Sequence, residues 1–285
     1  MPNYHAADLQ DVFVYAMIDE YLKNSKHFCP TRCSATGVAA KLSDAEILFL
    51  FVSACLEYGG NCQKAMQAHH RHGNIGQTLD KSQFNRRLHR LEDRLFELLG
   101  LFSTLAQEAN TSYAVDSFPL PVCRNIRIRR CRLVKGKHHH GYCASKQEYY
   151  YGFKVHLMTA ADGRLIEFEF TPASVDDKAA FGLLAFPLPQ QAHVFADKAY
   201  NVYVQEERLL QDGQIHLLPI RKVNSQKEDN TYVSNWLRKH QRRHIESDIS
   251  RLENLFPKKI HAVTKNGFLL KVLGFFLANH FLFFL

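Results

Sequence analysis

Along the first part of the chain, apolar residues recur every three or four positions, and beyond about Asn110 they alternate with polar ones. The early pattern predicts helices over "DLQDVFVYAMIDEYL" and over "LSDAEILFLFVSACLEYGG". The second of these starts with a capping box, Ser43 to Glu46, and stops at Gly59-Gly60. A third, long helix is expected across "DKSQFNRRLHRLEDRLFELLGLFSTLAQ". Residues 1–110 therefore read as an all-helical N-terminal domain.

The alternating half opens on "SYAVDSFPLPVC", a β-prone run interrupted by Asp116 and expected to break at Pro119 and Pro121. After a basic insertion, "YYYGFKVHLMTA" and "RLIEFEFTPA" flank Asp162-Gly163, which predicts a hairpin with a two-residue turn. Ser174 and Asp177 read as a capping box opening a helix to Leu184. "AHVFADKAY" is a short buried strand ending at Asp197, "VYVQEERLLQ" a helix, and "QIHLLPI" a strand. The polar run "RKVNSQKEDN" reads as a mobile link to a last amphipathic helix, "TYVSNWLRKHQRRHIESDISRLENLF". The order β-β-β-α-β-α-β-α describes a mixed sheet flanked by helices. Its first, fourth and fifth strands run parallel, which sets the ends of strands one and four side by side. This second domain spans 111–285, with the basic insertion at 123–148.

The C-terminal "GFLLKVLGFFLANHFLFFL" has nearly the length of a membrane span, but Lys271, Asn279 and His280 interrupt it. A buried helix closing the core is the expectation, with no membrane partner.

Composition narrows the function. With 46% hydrophobic residues the chain can build a core, and its net charge of +8 favours polyanionic partners. No secretory signal opens the chain, and the 7 cysteines are odd in number and scattered, which fits free thiols in a cytoplasmic protein. Cys131, His138 to His140 and Cys143 make the best zinc-like cluster, yet they lack paired C-x-x-C elements.

A carboxylate inside an apolar strand costs several kcal/mol unless something satisfies it. Asp116 on the first strand and Asp197 at the end of the fourth would converge at one sheet edge. Together they suit a divalent cation: magnesium takes one or two carboxylates, keeps waters and completes its shell with phosphate oxygens. The last helix supplies a third acid, for which Glu246, Asp248 and Glu253 compete. At 100° per residue, Ile245, Ile249, Leu252 and Phe256 form one stripe, with Glu246 and Glu253 on one flank and Asp248 on the other. Glu253 lies about 10 Å along the axis from Glu246, too far to share its cluster. The bland alternative is that Arg242 and Glu246 form only a surface i,i+4 pair. Five arginines, Arg124, Arg127, Arg129, Arg130 and Arg132, follow Asp116 closely, with Lys135 and Lys137 beyond. Cations so placed would neutralise a phosphate backbone, on an arm whose Ile126, Ile128 and Cys131 pack one face. In the helical half, Gln83, Asn85, Arg86, Arg87, His89 and Arg90 give one helix a donor-rich surface, suited equally to DNA or to solvent. The histidines at 69–72 read as a polar helix end.

The segments "VDSFPLPVCRNIRIRRCRL", "KGKHHHGYCASKQEYYYGFKVHL", "ADKAY", "LLPIRKVN" and "RRHIES" resemble the DDE transposases of bacterial insertion sequences. The likeness is strongest to insertion-sequence family 982, within the RNase H-like superfamily. It extends to the capped helix at Ser43 and to "QFNRRLHRL". The resemblance implies an RNase H-like catalytic fold with Asp116, Asp197 and Glu246 as the metal-binding and catalytic triad. It also implies magnesium as cofactor, with manganese able to substitute. The partner would be double-stranded DNA, both element ends and target, bound as a homodimer or higher assembly in a nucleoid-associated complex. Terminal inverted repeats would be bound, cut by water and joined through the free 3′-OH, with no covalent protein–DNA intermediate. Two positions depart from the pattern: Ala199 where similar proteins carry Gly, and Glu253 where related branches carry Lys; Arg242 meets a related Arg position. Two other readings stand beside this one, an RNase H-like endonuclease without strand transfer and a transposase-derived DNA-binding protein with little catalysis.

Overall fold

The computed structural model describes residues 6–25, 40–144, 146–221 and 232–285. The expected mobile run 221–230 lies outside these except for Arg221. The chain divides into two compact units, one of 1–100, 255–262 and 266–285, the other of 101–254 and 263–265.

The first unit is helical: α1 (Ala6–Asn24), α2 (Asp44–Glu57), α3 (Cys62–Arg71), α4 (Lys81–Arg90), the start of α5 (Glu92–Glu108) and nearly all of α9 (Lys265–Phe281). The capping box is present: Glu46 N–H donates to Ser43 Oγ at 3.1 Å and Ser43 N–H to Glu46 Oε2 at 2.5 Å. Such a cap stabilises a helix by about 1 kcal/mol. The expected single helix over α4 and α5 is instead broken at Leu91. Phe84, Leu88, Leu91 and Leu95 are all buried, so the apolar stripe runs straight across the break and does not mark it. The polar helix end expected at 69–72 is present, with His70, Arg71 and His72 exposed where α3 stops, but His69 is buried, with its Nε2 2.7 Å from Ser53 Oγ. In α9, Phe268 and most residues from Leu270 to Phe281 are buried, and Gly274 makes room for Phe51 and Cys55 of α2. Among the described residues no helix is long and apolar enough to cross a membrane.

The second unit holds the sheet: β1 (Ser112–Cys123), β2 (His140–Cys143), β3 (Glu148–Ala160), β4 (Leu165–Pro172), β5 (His193–Ala196) and β6 (His216–Pro219). Helices α6 (Asp177–Phe181), α7 (Tyr203–Gly213) and α8 (Tyr232–Leu255) alternate with the later strands. β3 pairs antiparallel with both β1 and β4, whereas β1, β5 and β6 run parallel. This is the mixed sheet flanked by helices expected from the alternation. The short β2, paired to β3 from His140↔Tyr151 to Cys143↔Glu148, adds a strand inside the basic insertion.

The prolines do not break β1. Ala161 N–H donates to Ser112 O on one side of the strand and His193 N–H to Thr111 O on the other. Odd-numbered residues of β1 thus turn their backbone groups away from β3, and β5 stops pairing at Val115↔Ala196. Pro119 and Pro121 therefore cost the ladder no bond. Two turns also differ from expectation. The hairpin connection runs from Ala161 to Arg164, with Gly163 at φ +86° and Asp162 held by Arg164 N–H at 3.0 Å. Helix α6 ends at Phe181, and its N-cap is Asp176 without a side-chain cap. Asp177 is thereby free for the contacts described below.

Candidate active site

Strand register fixes the two aspartates. Val115 of β1 pairs with Ala196 of β5, the last pair of that parallel ladder, so Asp116 and Asp197 follow side by side. Tyr113, Val115, Val194 and Ala196 share one core with Phe181 and Tyr200. Alternation then sends Asp116 and Asp197 to the opposite face. Asp116 Oδ1 accepts the N–H of Ser117 at 2.8 Å. Asp197 starts the single 3₁₀ turn Lys198–Tyr200, whose Tyr200 N–H donates to Asp197 O at 3.0 Å.

A polar network lies behind this edge on the core face. Ser117 Oγ donates to Asp177 Oδ1 at 3.0 Å, and Lys154 Nζ reaches the same oxygen at 3.3 Å and Val175 O at 3.0 Å. His156, opposite Ser117 in the β1–β3 register, is fully buried, with Nε2 3.0 Å from Thr171 Oγ1 and Nδ1 3.8 Å from Asp177. Burial lowers its pKa to about 4, against the pull of Asp177. The Tyr200 hydroxyl is pushed well above its ordinary value, first by burial and then by the charges of Asp177, Asp116 and Asp197.

A second network fixes the segment after Asp197. Arg221 makes a buried bidentate pair with Glu206, at 2.5 and 2.9 Å, and also donates to Asn201 Oδ1 at 2.8 Å. Removing one member of such a buried pair typically costs about 3–5 kcal/mol.

Helix α8 lies on the face of the aspartates. Thr159, which pairs with Ala114, donates to Asp248 Oδ2 at 3.0 Å, and Arg251 Nη2 donates to Asp248 Oδ1 and to Gly163 O, each at 3.0 Å. Ile245, Asp248, Ile249 and Leu252 are buried, whereas Glu246 is exposed. Glu253 pairs with Lys146 at 3.2 Å. Among the described residues no three His, Cys, Asp or Glu side chains stand together at metal-binding spacing, so Glu246 is not drawn onto the aspartates here, and Cys131, His138 to His140 and Cys143 form no zinc site. His139 is turned inward, its Nδ1 2.8 Å from Gly152 O.

A family model described as "Transposase DDE domain" matches residues 106–261, which contain both aspartates and α8 and exceed half of the chain. The chain belongs to the DDE transposases. Among solved structures, a piggyBac transposase synaptic complex with hairpin DNA is similar at 8% identity and a TM-score of 0.47, over 96% of this chain and 71% of that one. No curated protein matches the chain. The assignment rests on the domain match.

DNA is accordingly the partner class of this transposase, and divalent metal ions serve the family's chemistry. The residues fit such an ion: the β1–β5 register brings two carboxylates to one face of the sheet.

The sequence-predicted cations are placed as follows. Arg124, Arg127, Arg129, Arg130, Arg132, Lys135 and Lys137 are all exposed, from Arg124 at the start of a 3₁₀ turn (Asn125–Arg130), through the loop after it, to Lys137 in a second 3₁₀ turn (Lys137–His139). Ile126 does not pack with Ile128 and Cys131, being 91% exposed. On α4, Arg86 and Arg90 are exposed, but Arg87 turns into its own unit, donating to Asp44 Oδ1 and Leu42 O, each at 2.5 Å. The side chain of Arg242 lies outside the described residues. Asp177, Lys154, His156, Tyr200 and the Arg221–Glu206 pair were not legible as site residues. Each sits in an ordinary strand or helix pattern, and only the register and the α6 start bring them together.

Proposed function

We propose that this transposase binds the terminal inverted repeats of a bacterial insertion sequence, as in family 982, cleaves them hydrolytically and transfers the 3′ end to target DNA. The observation that carries the reading is the pairing of Val115 with Ala196, which makes neighbours of Asp116 and Asp197. These two carboxylates, with Glu246 joining from α8 when DNA and metal are present, would hold magnesium or manganese. Such ions activate the attacking oxygen and stabilise the leaving one at phosphorus. The chain's own part is positional: Ser117 N–H orients Asp116, the Arg221–Glu206–Asn201 network steadies the turn after Asp197, and the exposed cations from Arg124 to Lys137 hold the phosphate backbone. The helical domain 1–110, through Arg86 and Arg90 of α4, supplies preference for element ends, and pairs of ends call for a homodimer or larger assembly.

The test is a supercoiled donor plasmid carrying the element, incubated with the protein and magnesium. Joined products are expected, and Asp116→Asn or Asp197→Asn should bind DNA yet leave it uncut. Loss of a metal-ligating charge worth several kcal/mol removes orders of magnitude in rate, at 1.36 kcal/mol per tenfold. Full cleavage by either variant refutes the site. Cleaved but never joined DNA favours the endonuclease without strand transfer.

A further inference from the structure

Within the basic insertion, two large apolar side chains are exposed, Ile126 and Tyr142, and Ile126 is by far the more exposed. Ile126 is 91% exposed on the 3₁₀ turn Asn125–Arg130. A 3₁₀ turn has three residues per revolution, so its side chains form three ridges. Asn125 and Ile128 share the first, which faces the sheet: Asn125 Nδ2 donates to Tyr149 O at 2.6 Å, and Ile128 is half-buried. Ile126 and Arg129 share the second, Arg127 and Arg130 the third, and all four are exposed. Turn bonds from Arg127 N–H to Arg124 O at 2.8 Å and from Cys131 N–H to Ile128 O at 3.0 Å close both ends.

A lone exposed apolar residue is common on any protein surface. Ile126 differs in its setting, because the exposed Arg124, Arg127, Arg129 and Arg130 lie within four residues of it on the same turn and select a polyanion as what approaches. Arginines favour the narrow minor groove, where the potential of DNA is most negative. Proteins that bind there commonly push an apolar side chain between base steps and kink the duplex, by roughly 20–90°. A β-branched side chain is stiff about χ1 and keeps its direction when pressed against a stack.

We propose that Ile126 is a wedge that enters a base step from the minor groove of duplex DNA and bends it, while the neighbouring arginines hold the phosphates. The inference rests on the reading that the basic insertion meets DNA, and it assigns to one side chain a task distinct from charge neutralisation. The arginines would set the affinity and its salt dependence, and Ile126 would set the bend.

Bending is measured on the full chain with a mixed-sequence duplex carrying donor and acceptor dyes at its ends, without divalent metal so that no strand is cut. The parent protein should raise energy transfer on binding. Ile126→Ala should bind with an unchanged log–log salt slope and lose most of that rise, whereas Ile126→Leu should keep it. Because the side chain is exposed, neither variant threatens folding. Equal bending by Ile126→Ala, or no bending by the saturated parent protein, overturns the wedge and leaves phosphate binding by the arginines intact. A parent protein that does not bind the duplex overturns the DNA-contact reading and the wedge with it.

Discussion

Ser117 donates its hydroxyl to Asp177 at 3.0 Å while its backbone N–H, 2.8 Å from Asp116 Oδ1, holds the catalytic candidate on the other face of the same strand. One residue thus joins the core-side network to the metal-side carboxylate. Ser117→Ala should cost about 1 kcal/mol of stability and raise the magnesium concentration needed for half-maximal cleavage, because β1 loses its tether beside Asp116. Ser117→Thr, which keeps the hydroxyl, should restore the metal response. If Ser117→Ala lowers the melting temperature but leaves the metal titration where it was, Ser117 is structural only.

His156 makes stability depend on pH. Burial lowers its folded pKa to about 4, against an unfolded value near 6.5. Between these values the unfolded chain binds more protons. The contribution of His156 is therefore complete above about pH 6.5 and declines as pH falls toward 4, by up to about 3 kcal/mol. Asp248 acts in the opposite sense, since burial raises its pKa and protonation relieves the penalty. His156→Gln separates the two. Its urea-unfolding free energy should fall less between pH 7 and pH 5 than that of the parent, and parallel curves would contradict the assignment.

The three arginines of α4 should separate in experiment. Arg86 and Arg90 are exposed, and replacing both with Ala should reduce the log–log salt slope of DNA binding by about two with little change in melting. Arg87 is tied to Asp44 and Leu42 O at 2.5 Å each. Arg87→Ala should destabilise the protein by a few kcal/mol, because the buried Asp44 loses the cation paired with it. A salt slope that changes only with Arg87→Ala would reverse this division.

What the sequence could and could not reveal follows from the range of the forces involved. The hairpin Glu148–Pro172, the short strand before Asp197 and the span of α8 were all legible, because each is written in local periodicity or turn chemistry. The adjacency of Asp116 and Asp197 followed from strand order alone. Three features were not legible. The break at Leu91 lies under an unbroken apolar stripe. Pro119 and Pro121 survive in β1 only because β5 ends at Ala196, a fact of register. Asp177 looked like half of a capping box, but Lys154 and Ser117 compete for the same carboxylate from distant strands, and they win.

The reading that Glu246 is the ligand acid on α8 rests on the contrast between Glu246 and Asp248. Asp248 is the buried one, holding Thr159 at 3.0 Å and Arg251 at 3.0 Å, and its carboxyl is pushed upward by burial despite both donors. A group so engaged has both oxygens committed to the fold. Asp248→Asn exchanges a charge that burial penalises for a neutral amide of the same shape. The remaining oxygen can accept from Arg251, the Thr159 hydroxyl can rotate to accept from the new amide, and Arg251 keeps Gly163 O. Stability should change by no more than about 1 kcal/mol, and cleavage should persist. Glu246 is exposed on the same helix, on the face of the sheet that carries Asp116 and Asp197. As a substitution at an exposed position, Glu246→Gln should melt within about 0.5 kcal/mol of the parent while cleavage is lost, because the metal-bound state depends on its charge. Thermal melting and plasmid cleavage measured together on both variants decide the matter. An active Glu246→Gln protein, or an inactive Asp248→Asn protein of parental stability, would transfer the ligand role to another acid.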